Sequence, residues 1–308
     1  MWDMIKKPRI ESVELRRFRS MDIRTNLSVK EKSYYLNLEK GFQGEKIFDE
    51  WMESLTIDCL ILNDLLFEHS NTFFQVDSLI MLQDIIHFFE IKYFEGDYII
   101  KNDEWHFLSG KEKEIKNPLL QLKRSASLLR RVLQDLGCHL PVEEHLIFVK
   151  PDFYLYQAPI NLPIIFPSQI ERFIDSMNKK SSNLTSYHSK LANQLLSLHV
   201  DESPFIRVPK YSFDQLKKGI TCDKCKGFID HYEKYFIVCP KCGHKENITS
   251  AVLRSIEEYC LLFPNKKLTT NSIQEWCKIT SHKTIQRVLS THFKQLGHGK
   301  STYYIRNN

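Results

Sequence analysis

The chain of 308 residues and 36.5 kDa is long enough for two or three domains. Hydrophobic residues make up 42% and charged residues 26%, the balance of an ordinary soluble protein, and no window approaches the roughly 18 uncharged apolar residues a membrane helix needs. The net charge of +5 is uneven: from Lys210 onward 17 Lys and Arg stand against 8 Asp and Glu, a balance of +9, and the rest carries −4, so the C-terminal third is the part suited to nucleic acid.

Met1-Trp2-Asp3-Met4 runs into Lys6-Lys7-Pro8-Arg9 with no apolar segment behind it, so no secretory signal and a cytoplasmic location are expected. Residues 1–40 are polar, with a helix expected after the capping-box pattern Ser28-x-x-Glu31 and a stop at Gly41. From Gly44 to Leu55 the pattern is again that of an amphipathic helix, with Ile47, Phe48, Trp51 and Leu55 on one side. Short strands are expected at Cys59–Asn63, 73–82 and 85–92, followed by a small hairpin through Tyr98–Ile100 and Trp105–Leu108.

The second and third strands carry the most informative residues. Asp77 lies in the first of these runs; Glu90 follows with twelve residues between, and Lys92 two further on. Strand residues two apart share a face, so Glu90 and Lys92 project together, and a hairpin would bring Asp77 beside them. Two carboxylates next to one ammonium suit binding a divalent metal and activating water against a phosphodiester.

Asn117-Pro118 then opens a helix whose Leu119, Leu122, Ala126, Leu129, Leu133 and Leu136 recur at spacings of three and four; Gln121, Arg124 and Arg131 lie off that stripe. Strands are expected at Leu146–Val149 and Ile164–Phe166, helices within 167–200, and a linker at Ser203–Pro209. The whole reads as an α/β unit of helix, three strands, helix and strand.

These residues resemble the nuclease-related domain, a family of the PD-(D/E)XK nuclease superfamily found in many bacterial proteins. The resemblance rests on four motifs in order: Gly41-Phe42-Gln43-Gly44-Glu45, Gln75-Val76-Asp77, Phe89-Glu90-Ile91-Lys92, and the helix start Asn117-Pro118-Leu119-Leu120-Gln121. It implies a restriction-endonuclease-like αβββαβ core. It also implies that Asp77, Glu90 and the main-chain carbonyl of Ile91 ligate Mg2+ or Mn2+, that Lys92 orients water or stabilises phosphoryl charge, and that Glu45 and Gln121 complete the catalytic set.

In the C-terminal third, Cys222-x-x-Cys225 and Cys239-x-x-Cys242 are separated by thirteen residues, the spacing of a four-thiolate structural zinc site resembling a zinc ribbon. Cys59, Cys138, Cys260 and Cys277 sit among apolar neighbours and read as buried thiols in a reducing compartment. Residues 250–306 read as two helices, a third helix capped by Ser281, and a hairpin, an order similar to a winged helix-turn-helix. Lys283, Arg287 and Lys300 are its expected DNA contacts.

The expected domains are a helical extension (1–40), the nuclease-related domain (41–166), a helical connector (167–209), a zinc ribbon (210–249) and a winged-helix-like module (250–308). The expected function is metal-dependent hydrolysis of nucleic acid, DNA in preference to RNA because a helix-turn-helix reader and this core both lean that way. The alternative is a DNA-binding or regulatory protein that uses the same core as a scaffold without cutting.

Overall fold

The computed structural model describes residues 4–229, 235–279 and 281–306, the Lys300 side chain excepted. The chain divides into two compact units: one comprises the residues up to Glu11 with Asn37–Phe205, the other Ser12–Leu36 with the residues from Ile206 onward.

In the first unit, a six-stranded sheet has the order β1 (Ile5–Lys7), β2 (Leu60–His69), β3 (Thr72–Met81), β4 (Ile86–Lys92), β8 (Val142–Phe148), β10 (Ile164–Ile165). The β2–β3–β4 meander is antiparallel, while β1 on one side and β8 and β10 on the other join in parallel. A smaller sheet sets β7 (Lys111–Ile115), β6 (Glu104–Ser109), β5 (Gly96–Lys101) and β9 (Phe153–Tyr156) side by side. Helix α3 (Pro118–Asp135) places Leu122, Ala126 and Leu129 in a core with Phe88 and Leu146 of the main sheet and Trp105 and Phe153 of the small one. A separate core, with Phe89, Ile91 and Ile147 of the sheet, takes Phe48 of α2 (Val29–Met52) and Ile170, Ile174 and Met177 of α4 (Ile170–Asn178). Helix α5 (Ser186–Ser197) adds Leu191 and Leu195 to the α3 side.

Two expectations need correction. The Ser28–Glu31 capping box forms, with Ser28 N donating to Glu31 and Glu31 N to Ser28 Oγ, but Gly41 does not stop the helix: α2 runs on unbroken through Gly41 and Gly44. Two interior glycines cost about 1 kcal/mol each relative to alanine, and burying Phe48 alone returns roughly 1.5–3 kcal/mol. Packing therefore outweighs propensity.

The first strand continues well past Asn63, to His69. Its alternation slips by one position, since Leu60 and Leu62, then Leu65 and Phe67, line the same core. Asp64 absorbs the slip with φ +53, and β3 slips in the same row, from Val76 to Leu79. A break in period two reads as the end of a strand when only the sequence is in view.

The sequence reading also passed over β1, β7, β9 and the helix α1 (Val13–Arg24), whose charged sequence hides the buried stripe Leu15, Phe18 and Met21.

In the second unit, short hairpins pair β11 (Ile220–Thr221) with β12 (Phe228–Ile229) and β13 (Phe236–Val238) with β14 (Lys245–Asn247). Helices α6 (Ile248–Leu262), α7 (Thr270–Cys277) and α8 (His282–His292) follow, then the hairpin β15 (Phe293–Leu296)–β16 (Tyr303–Arg306). Leu268, between α6 and α7, bridges to Tyr304 of β16 and thereby adds a third short segment to that hairpin. Helix α1 belongs here: Met21 joins the α6–α8 core, and the buried Arg24 guanidinium lies 4.0 Å over Trp276 while donating to Glu258 and to the carbonyls of Lys217 and Gly219. Among the described residues, no helix is long and apolar enough to cross a membrane.

Candidate metal-dependent active site

The β3–β4 ladder ends at the pair Ser78–Phe89, so Asp77 and Glu90 occupy the next row, where the strands separate. The same register carries on to Asp64 of β2, which sits in the gap between the pairs Asn63–Ser78 and Leu65–Val76. The row thus crosses three strands with an acid on each. At the fork, Ile91 N–H donates 2.8 Å to Asp77 Oδ2, so the aspartate takes a backbone donor that the ladder no longer uses.

Glu90 and Lys92 share the α3 side of β4, with Lys92 Nζ donating 2.6 Å to Glu90 Oε1 and 3.0 Å to Gln121 Oε1. The Asn117-Pro118 start explains why Gln121 is there. Asn117 caps α3 by accepting from Leu119 N at 2.9 Å, and Pro118 takes the first helical position, which needs no N–H. Gln121 then falls in the first turn, facing the strand end.

Glu45 reaches the site from α2 because Gly44 lets the helix approach the ends of β4 and β8. A Cβ at Gly44 would lie 3.1 Å from Tyr93 Cβ and 3.3 Å from Val149 Cγ2. Glu45 Oε2 accepts from Arg9 Nη1 at 2.9 Å, and Arg9 also pairs with Asp49 and donates to the Asp77 carbonyl at 3.0 Å. Arg9, Asp49 and Asp64 are the site residues that the motif reading missed. Asp49 was legible as the i+4 neighbour of Glu45 on one helix face. Arg9 was not, because it enters through an edge strand of three residues paired with a partner more than fifty positions away.

The electrostatics follow from crowding carboxylates out of water. Burial pushes Glu90 up to about 7, and the charge of Asp77 adds to it, with Lys92 pulling back. Glu45 rises to about 8, again from burial first and Asp77 second, against the pull of Arg9. Asp77 is raised by burial, opposed by Lys92 and the Ile91 N–H.

Asp77 and Glu90 are buried, whereas Glu45 and Lys92 are partly exposed and Gln121 is exposed, so the cluster has a buried floor and an open side. The second Glu90 oxygen, Oε2, is buried without a hydrogen-bond partner. An orphaned carboxylate oxygen next to a second carboxylate fits a hard divalent cation such as Mg2+ or Mn2+.

The four cysteines of the second unit also converge. Cys222 and Cys242 Sγ lie 3.7 Å apart, Cys225 and Cys239 Sγ 3.5 Å apart, and all four sulfurs fall within 4.8 Å of one another. Thiolates at 2.3 Å from a tetrahedral zinc are separated by about 3.8 Å, so the set fits zinc with a closed shell. His244 is not part of the cluster; its carbonyl accepts from Cys239 N. Of the other four cysteines, Cys59, Cys138 and Cys277 are buried and Cys260 is half-buried.

Lys283 and Arg287 lie exposed on α8, with Arg287 reaching Thr249 Oγ1 at 3.4 Å, and the Lys300 side chain lies outside the described residues. Arg124 and Arg131 are exposed on α3.

No curated protein and no solved structure matches the chain. Residues 40–149, about a third of the chain and the stretch that supplies Glu45, Asp77, Glu90, Lys92 and Gln121, match the family model of the nuclease-related domain.

Proposed function

We propose that the protein hydrolyses phosphodiester bonds of nucleic acid, DNA in the first instance, with a divalent metal in the first unit and nucleic-acid binding by the second. The observation that carries this reading is the fork between β3 and β4, where Asp77 and Glu90 face each other with Lys92 held by Glu90 and Gln121. Asp77, Glu90 and the Ile91 carbonyl would hold Mg2+ or Mn2+. Such an ion, when bound, supplies Lewis-acid stabilisation of phosphoryl charge and a more acidic water.

The chain's own groups do the rest. Lys92, fixed by two acceptors, orients the attacking water or stabilises charge on the phosphoryl oxygens. Glu45 adds a partly exposed carboxylate at the rim, and Arg9 holds it in place while offsetting part of the negative charge. The order of α6, α7, α8 and the β15–β16 hairpin supports a winged-helix reading, with Lys283, Arg287 and Lys300 on the nucleic-acid side. The basic balance of the C-terminal third supports it too.

A second reading, a non-cutting DNA-binding or regulatory protein, is favoured by Arg9, which already engages Glu45 and Asp49. Cleavage of linear, circular and single-stranded DNA and of RNA, with Mg2+ or Mn2+, separates the two. Metal-dependent cutting is expected, with the preferred form of nucleic acid read directly. Binding without cutting in either metal would establish the scaffold reading instead. Lys283→Ala with Arg287→Ala is expected to weaken binding and flatten its salt dependence.

A further inference from the structure

On the other face of the main sheet from Gln121, at the beginnings of β4 and β8, lies a second set of metal-type donors. His87 pairs in register with Glu143, and Phe89 with His145, so both imidazoles and the carboxylate share one corner of the sheet. His87 Nδ1 is 2.9 Å from His145 Nε2 and 3.5 Å from Glu143 Oε2, and the three donor atoms lie within 4.8 Å of one another.

We propose that His87, Glu143 and His145 form a binding site for a divalent transition-metal ion of the zinc class, clipping β4 to β8. Two donors about 2.05 Å from a tetrahedral zinc stand about 3.3 Å apart, so 2.9 and 3.5 Å bracket the required spacing to within a few tenths of an ångström. Imidazole nitrogen with one carboxylate is a donor set for zinc rather than for magnesium.

Phe89 stacks on His145 at 4.9 Å and Phe173 meets the same ring edge-on at 5.1 Å, so the imidazole is held in place by packing. His87 and His145 are both buried, and the His87 nitrogen turned toward Glu143 and His145 is Nδ1. Burial keeps both rings in the neutral, ligating form, with His87 down at about 4 and His145 at about 3. Glu143 is 51% exposed, which gives the ion an entry route and leaves room for water as a fourth ligand. The charges that bear on the pair are Lys180, which opposes a cation, and Asp84 and Glu143, which favour one.

The test is Zn2+ stoichiometry of the metal-stripped full chain against His87→Gln and His145→Gln, with circular dichroism as the check on folding. Wild type is expected to bind one zinc more than either variant. Co2+ in that extra site should add weak visible bands without the near-ultraviolet thiolate absorption of the cysteine site. Equal stoichiometry in folded variants overturns the proposal. If the variants do not fold, imidazole 15N resonances of the wild type decide: His87 and His145 must shift on adding Zn2+, and unmoved resonances overturn it as well.

Discussion

Glu90 concentrates the physics of the proposed site in one side chain. It accepts from Lys92 through one oxygen, keeps the other unpaired, and faces Asp77 across the fork. A carboxyl raised on folding leaves stability intact below its ordinary value near 4.5 and removes it as pH rises through the folded value. With Glu90 at about 7 and Glu45 at about 8, the metal-free protein is expected to lose stability between pH 5 and pH 8. Glu90→Gln cannot ionise, so its melting temperature should fall less over the same interval; equal falls in the two proteins would contradict the buried-charge account. The neutral His87–His145 pair acts in the opposite sense, removing stability as pH falls from 6.5 toward 4, and does so in both proteins. Saturating Mn2+ should restore the wild type at pH 8, because metal replaces the protons these carboxylates otherwise retain.

At the scale of elements, what the sequence disclosed was local. Glu90 and Lys92 meet because strand residues two apart share a face, and Gln121 follows from an Asn cap and a Pro at the first helical position. Those relations lie within a few residues and are readable without coordinates. Arg9, the continuation of β2 beyond Asp64, and the edge pairing of β1 depend on long-range partners or on a positive φ that the residue type does not announce.

Helix α2 shows the same division. Its start is readable in Ser28 and Glu31, but its passage through two glycines is decided by packing. The two glycines should therefore respond in opposite ways. Gly41 has nothing within 4 Å of an added Cβ, so Gly41→Ala is expected to stabilise the protein by up to about 1 kcal/mol. Gly44→Ala must displace Tyr93 or Val149 and is expected to destabilise it and lower activity through Glu45. Denaturant melts of both variants check this; a stabilised Gly44→Ala would show that the close approach is not needed.

At the scale of the molecule, each compact unit draws on two stretches of chain. The second unit takes Met21 and Arg24 from α1, so residues 206–308 lack part of their own core. The isolated fragment 206–308 is expected to be poorly folded even with zinc, and a peptide covering residues 12–36 should restore helical content. In the full chain, Arg24→Ala leaves Glu258 without its partner and should cost about 3 kcal/mol. A fragment 206–308 that melts cooperatively without the peptide would contradict this assignment of α1.

The central claim is that the row at the β3–β4 fork performs metal-dependent phosphodiester cleavage. The most direct measurement is single-turnover cleavage of one labelled DNA by wild type, Asp77→Ala and Glu90→Ala, in Mg2+ and in Mn2+, with binding of the same DNA followed in parallel. The expected result is metal-dependent cutting by the wild type, loss of cutting to background in both variants, and unchanged binding. Cutting that persists in Glu90→Ala, or a wild type that binds and never cuts, would contradict it.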